Sequence, residues 1–152
     1  MSDLSVPKLE RIARDIEETL QSVRVANGYF NDLIVERRRG LGNTMRDRFA
    51  VLFQGDAEAE DGPTQFHNWL QNFMVLVYIS HSNTATSPTD EVINTIRADI
   101  ERVLMVDPRR GGLAHDTIIR SVVLIPYEDA SAEGVIVSFD VRYRTALADP
   151  FN

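Results

Sequence analysis

Cysteine is absent from the 152 residues, which excludes disulfides, thiolate metal sites and thiol nucleophiles together. Long apolar runs are absent too. No stretch approaches the roughly 20 apolar residues that span a bilayer, and Met1–Ser5 lacks the basic region and apolar stretch of a signal peptide. The expectation is a protein of a soluble compartment with no membrane partner. Positive charge is in short supply, with 16 Lys and Arg against 23 Asp and Glu and a formal net charge of −7. A surface of that sign is not built to neutralise phosphates, so tight nucleic-acid binding is not expected, although DNA can pass along it without sticking.

Catalytic and ligating patterns are equally scarce. The histidines His67, His81 and His115 fall at separate predicted loops or strand ends, and none has a second histidine or carboxylate at helical metal-ligand spacing. Asp99 and Glu101 lie two apart on a predicted helix, where side chains point roughly 160° apart and do not converge. Solvation, or pairing with Arg97 and Arg102, is expected for both. No serine sits between glycines at a strand-to-helix elbow. Neither Arg39-Gly40-Leu41-Gly42 nor Arg110-Gly111-Gly112 runs on into the Gly-Lys-Ser/Thr of a phosphate loop. The expectation is a protein that is not an enzyme, with no catalytic, metal or cofactor site.

What is present is periodicity. Leu9, Ile12, Ala13, Ile16, Leu20 and Val23 recur at spacings of three and four, predicting an amphipathic helix from Pro7 to about Arg24 with Ser5 as cap. Asn27-Gly28 breaks the pattern, and Tyr29 to Glu36 reads as a first strand. A basic loop, Arg37 to Asn43, leads to a second strand over Arg48–Gly55, expected to be antiparallel to the first, with Phe49, Val51 and Phe53 on one face. Asp56 to Pro63 holds little that can be buried and reads as an exposed loop.

Phe66 to Ser80 carries two interleaved apolar sets. Trp69, Phe73, Val75, Val77 and Ile79 point one way, and Leu70, Met74, Leu76 and Tyr78 the other. Such a strand belongs in a sheet covered on both faces, or at a subunit interface. A polar linker, 81–86, leads into a second helix, with Ser87 as cap, Pro88 at its first position and Asp90 near its positive end. Its stripe of Val92, Ile93, Ile96, Ile100, Val103 and Leu104 runs to about Met105, and Asp107-Pro108 stops it. After the flexible loop Arg109 to Gly112, two strands are predicted, Thr117–Pro126 and Gly134–Arg144, joined by an acidic turn from Tyr127 to Glu133. In the last strand Val135, Val137, Phe139, Val141 and Tyr143 alternate with Ser138, Asp140 and Arg142. The fold class is therefore α+β, a single domain over 1–152 with a mostly antiparallel or mixed sheet of about five strands packed with two main helices.

In order and spacing, several of these features resemble the tail-terminator, or tail-completion, proteins of long-tailed bacteriophages. They are the opening helix running into Asn27-Gly28-Tyr29, the strand with Asp32 and Val35, and the helix ending Asp99-Ile100-Glu101-Arg102-Val103-Leu104. Gly111-Gly112 follows, and then the closing strand Val141-Arg142-Tyr143-Arg144 with Asp149-Pro150 beyond it. The resemblance implies a structural virion protein without cofactor. It implies a hexameric ring that caps the head-proximal end of the tail tube, stops tube polymerisation and meets the head or neck. The implied partners are further copies of the chain, the tail-tube protein and a head-completion or neck protein, with DNA passing through the lumen unbound. The implied location is the virion tail, after assembly in the host cytoplasm.

On that reading Arg37, Arg38 and Arg39, or Arg109 and Arg110, meet an acidic neighbour. Asp56, Glu58, Glu60 and Asp61 face the next subunit or the lumen, and Phe66, Trp69 and Phe73 anchor an interface. Solvated turns, for the charged sets, and core packing, for the aromatics, are the plain alternatives. The competing functions are a head-completion, neck or tail-tube protein of the same particle and, from another class, a small ligand-binding or enzymatic α+β domain.

Overall fold

The computed structural model describes residues 6–80, 87–126 and 132–152. Ser5, His81 and the centre of the predicted acidic turn, 127–131, lie outside them.

Two helices form where the apolar spacing places them: α1 over Lys8–Gln21 and α2 over Thr89–Val106. α1 buries Ile12, Ala13, Ile16 and Leu20, and Val23 continues the same stripe just past its end. α2 buries Ile93, Ile96, Ile100, Val103 and Leu104. Pro88, rather than Ser87, occupies the N-cap of α2, and no side chain caps this helix. Asp90 and Glu91 fall in its first turn, where the helix dipole favours negative charge.

The strands are β1 (Ile34–Arg37), β2 (Phe49–Glu60), β3 (Phe66–Ser80), β4 (Asp116–Pro126) and β5 (Ala132–Ala146). They form one mixed sheet in the order β1-β2-β3-β5-β4, so the chain has the expected α+β class. β3 and β5 pair antiparallel along their whole lengths, from Phe66 opposite Ala146 to Ser80 opposite Ala132. β2 flanks β3 and β4 flanks β5, each antiparallel to that partner.

Three expectations are corrected. β1 pairs with β2 in parallel, with Ile34 opposite Phe49 and Arg37 opposite Leu52. The linking segment 38–48 folds back instead of making a hairpin, with Asn43 Nδ2 donating to Glu36 and to the Arg37 carbonyl and Arg46 stacked on Phe49. The first strand is also shorter than its pattern. The amides of Phe30 and Asn31 donate to the carboxylate of Asp99, and that of Leu33 to the Val23 carbonyl, so these groups are taken before a ladder can form. Finally, 56–60 is an exposed continuation of β2 and not a loop, because Ala57 to Glu60 find ladder partners in Gln71 to Asn68.

Both helices lie on one face of the sheet. Their stripes meet Val35, Ala50, Leu52, Phe73, Val75, Val77, Ile79, Val135, Val137, Phe139 and Val141 in a single core, within which the Phe73 and Phe139 rings stack at 5.8 Å. Fully burying one aliphatic or aromatic side chain contributes about 1.5–3 kcal/mol before entropy is subtracted, so this face dominates stability.

Candidate assembly surface

The period-two alternation that fills the core leaves a second set of side chains on the opposite face of the sheet. Directly opposed strand residues share a face, so the register defines its rows. One row runs Val51, Leu76, Ile136, Val123 and the next Phe53, Met74, Ser138, Ser121. Tyr78 and Ile125 flank Gly134 in a third. Phe49 and Val51 are buried at the end where segment 38–48 folds over, but Met74, Leu76, Tyr78 and Ile136 are only half-buried and Val123 is 50% exposed. Neither helix reaches this face. An apolar band across four strands, uncovered by any described helix, is the geometry expected of a contact surface.

The band grades into charge along the strands. Beyond Met74 the same face carries Asn72, Asp140, Glu58, Arg142 and Glu60. Arg142 forms a two-pronged ion pair with Glu60, Nε to Oε1 at 2.8 Å and Nη2 to Oε2 at 3.3 Å, which raises the pKa of the arginine. Arg120 Nε donates to Asp140 at 2.6 Å. Asp56, Glu58, Leu70, Asn72 and Asp140 line a shallow polar hollow, and among the described residues no three acidic or histidine side chains converge as a metal site would require.

The predicted interface residues are dispersed. Arg37 is held by Glu10, Nη1 to Oε2 at 2.6 Å, and that bond holds the Glu10 carboxyl below its usual value. Arg38 lies 5.5 Å over the Phe53 ring, and Arg39 approaches Glu36 at 3.6 Å while staying mostly exposed. Asp56, Glu58 and Asp61 are exposed. Phe66 sits under the Arg144 guanidinium at 4.6 Å, Trp69 packs against the core, and Phe73 belongs to it outright. Arg109 is exposed beside the start of β4. The two basic loops lie at opposite edges of the sheet, one after β1 and the other before β4.

Arg110 is a correction. It is fully buried, donates to the carbonyls of Leu104 and Asp107, and faces Asp15 at 3.6 Å. It ties down the carbonyl end of α2 and cannot reach a neighbour. Burial pushes its pKa down and that of Asp15 up, each opposed by the other's charge. Asp99 is a second correction. Instead of being solvated, it is 1% exposed and accepts three N–H groups, from the amides of Phe30 and Asn31 and from Asn31 Nδ2. Glu101 pairs with Arg97 as expected, at 2.9 Å, whereas Arg102 bonds the Gly28 carbonyl and stacks on Tyr29.

The residues that sequence reasoning missed are Ile136 and Val123. The signal for Ile136 was present, since it is an apolar residue at an outward position of an otherwise alternating strand.

No protein-family model matches the chain, and no curated protein matches it. Among solved structures, a chain described as "Virion of native gene transfer agent (GTA) particle" aligns with 95% of this chain and 96% of its own length. Its identity to this chain is 7% and the TM-score is 0.40, values at which the likeness carries no argument about role.

Proposed function

We propose that the chain is a structural virion protein of the tail-terminator kind, acting through protein contacts and not by catalysis. The observation that carries this reading is the one-sided sheet, with its helices on one face and on the other an apolar band that no described element covers. A chain acting alone would cover that band with its own elements or furnish a cleft beside it. The order of features in the sequence supports the finer assignment: a ring, hexameric by resemblance, capping the head-proximal end of a tail tube and offering its outer side to the neck.

The test is assembly. Purified protein is expected to form rings by itself or on tail tubes, seen by mass measurement and negative-stain imaging. A strictly monomeric protein that also fails to cap tubes overturns the proposal. Particles assembled without the protein separate the rival roles, since overlong tails indicate termination, whereas finished tails that fail to join heads indicate a neck component.

A further inference from the structure

The two free edges of the sheet match in form. Among the described residues β4 has β5 as its one neighbouring strand, so no described strand pairs with its outer side along Asp116–Pro126. β1 covers β2 only at Phe49–Leu52, so β2 has no strand on that side from Phe53 to Glu60. Each free edge carries a one-residue bulge. That of β2 lies between Gln54 and Ala57, opposite Phe73 to Gln71, and that of β4 between Ile119 and Ser121, opposite Phe139 and Ser138. Phe73 pairs with Phe139, so the two bulges stand at nearly the same level on opposite sides of the molecule.

The bulges themselves carry opposite charges, while Asp116 opens the β4 edge and Arg38 lies over Phe53 at the start of the free β2 edge. Asp56 sits in the β2 bulge with Glu58 just beyond it, both exposed and neither in an ion pair among the described residues. Arg120 sits in the β4 bulge, still 45% exposed although Asp140 holds its Nε. The start of β4 carries Asp116 amid nearby cations. His115, which precedes it, has its pKa lowered by burial and then by the charges of Arg144, Lys8, Arg109 and Arg142. Bulges and charges keep an edge from pairing with any passing strand. Opposite charges set across two edges favour one pairing over another.

Direction agrees as well. β2 and β5 both run opposite to β3, and β4 runs opposite to β5. The free edges β2 and β4 therefore run in opposite senses, and two copies placed side by side in the same orientation bring them together antiparallel, the more stable arrangement. We propose that copies of this chain join head to tail, β4 of one pairing with the Phe53–Glu60 edge of the next, Arg120 set against Asp56 and Glu58. Such a contact is heterologous and closes into a ring when the rotation between copies allows it. The inference rests on the reading of the chain as a self-assembling protein and specifies which edges join.

Because the chain has no cysteine, thiols can be placed at will. Arg120→Cys, Glu58→Cys and the variant carrying both are treated with a short flexible bis-maleimide at concentrations where the unmodified chain assembles. The doubly substituted chain is expected to give a ladder of covalent multimers. A mixture of the two singly substituted chains stops at dimers, and each alone stays monomeric on a denaturing gel. Efficient dimers from one singly substituted chain alone, or an assembled double variant that does not cross-link, overturns edge pairing while leaving self-assembly standing. Unmodified protein that is monomeric at every concentration and also fails to cap tubes overturns both. Independently, Arg120→Glu and Asp56→Arg are each expected to weaken assembly by about tenfold or more, and their combination to restore it. Thermal unfolding of each variant confirms the fold, and a combination no better than either single variant overturns the pairing.

Discussion

The two faces of the sheet are built from the same strands and differ in almost everything else. Under the helices, Phe73, Val75, Val77, Val135, Val137 and Phe139 are at most 1% exposed. On the far side Met74, Leu76 and Ile136, their immediate neighbours in sequence, are only half-buried and give way along the strands to Asn72, Asp140 and Arg142. One face is covered by the chain's own helices, and the other carries an apolar band that no described helix covers. Stability and function are therefore expected to respond to different residues one position apart.

The sharpest test of this division is Phe139→Ala, which removes half of the stacked pair in the core. A loss of about 3–5 kcal/mol in denaturant unfolding is expected, with partial or complete unfolding at physiological temperature. A small loss would mean that the covered face is not the stabilising one. Next is Asp99→Ala, which leaves the N–H groups of Phe30 and Asn31 without their acceptor. About 2–4 kcal/mol is expected to be lost, with hydrogen exchange accelerating first in 29–33.

The open face should give the reverse pattern. Leu76→Ser and Ile136→Ser are expected to cost less than about 1 kcal/mol of folding stability, on the scale of half-exposed positions. Each should weaken assembly by about tenfold, or about 1.4 kcal/mol. Analytical ultracentrifugation beside thermal unfolding separates the two effects, and equal losses in both would erase the contrast between the faces.

The smallest effect concerns the covered side's rim, where Arg37 meets Glu10. The bond from Arg37 is the main reason that the Glu10 carboxyl is held below its usual value of 4.5. The ionised form is the one favoured by folding, so its contribution is present above that value and is lost as pH falls through the lowered one. Both side chains are about one-third exposed, so solvent screening keeps the contribution under about 1 kcal/mol. Glu10→Gln should flatten the acid limb of the stability curve by that amount, and an unchanged limb would show that the pair contributes nothing.

Much of the fold was legible because its signals are local. The stripes of α1 and α2 and the strict alternation of β5 from Val137 to Tyr143 each show their period within a few residues. β3 was legible in a subtler way: its two interleaved apolar sets announced either a doubly covered strand or an interface. The structure places it third in the order with helices on one face only. The failures share a cause. The parallel pairing of β1 with β2, the truncation of β1 by Asp99, and the extension of β2 through Glu60 all depend on groups distant in sequence. Asp99 lies 68 residues from Asn31, and no local pattern announces that contact. Arg110 was misjudged for the same reason, since a basic Gly-rich turn looks solvated until Asp15 on α1 is known to lie above it.

The sequence by itself determined the elements, the apolar face of each and the absence of thiol chemistry, because periodicity and composition are properties of the chain alone. Only the tertiary structure decided that both helices choose the same side of the sheet. That choice follows from long-range packing, and it leaves an apolar band that no described helix covers. Contact surfaces arise from what folding fails to cover, and that is fixed only once every element has found its place.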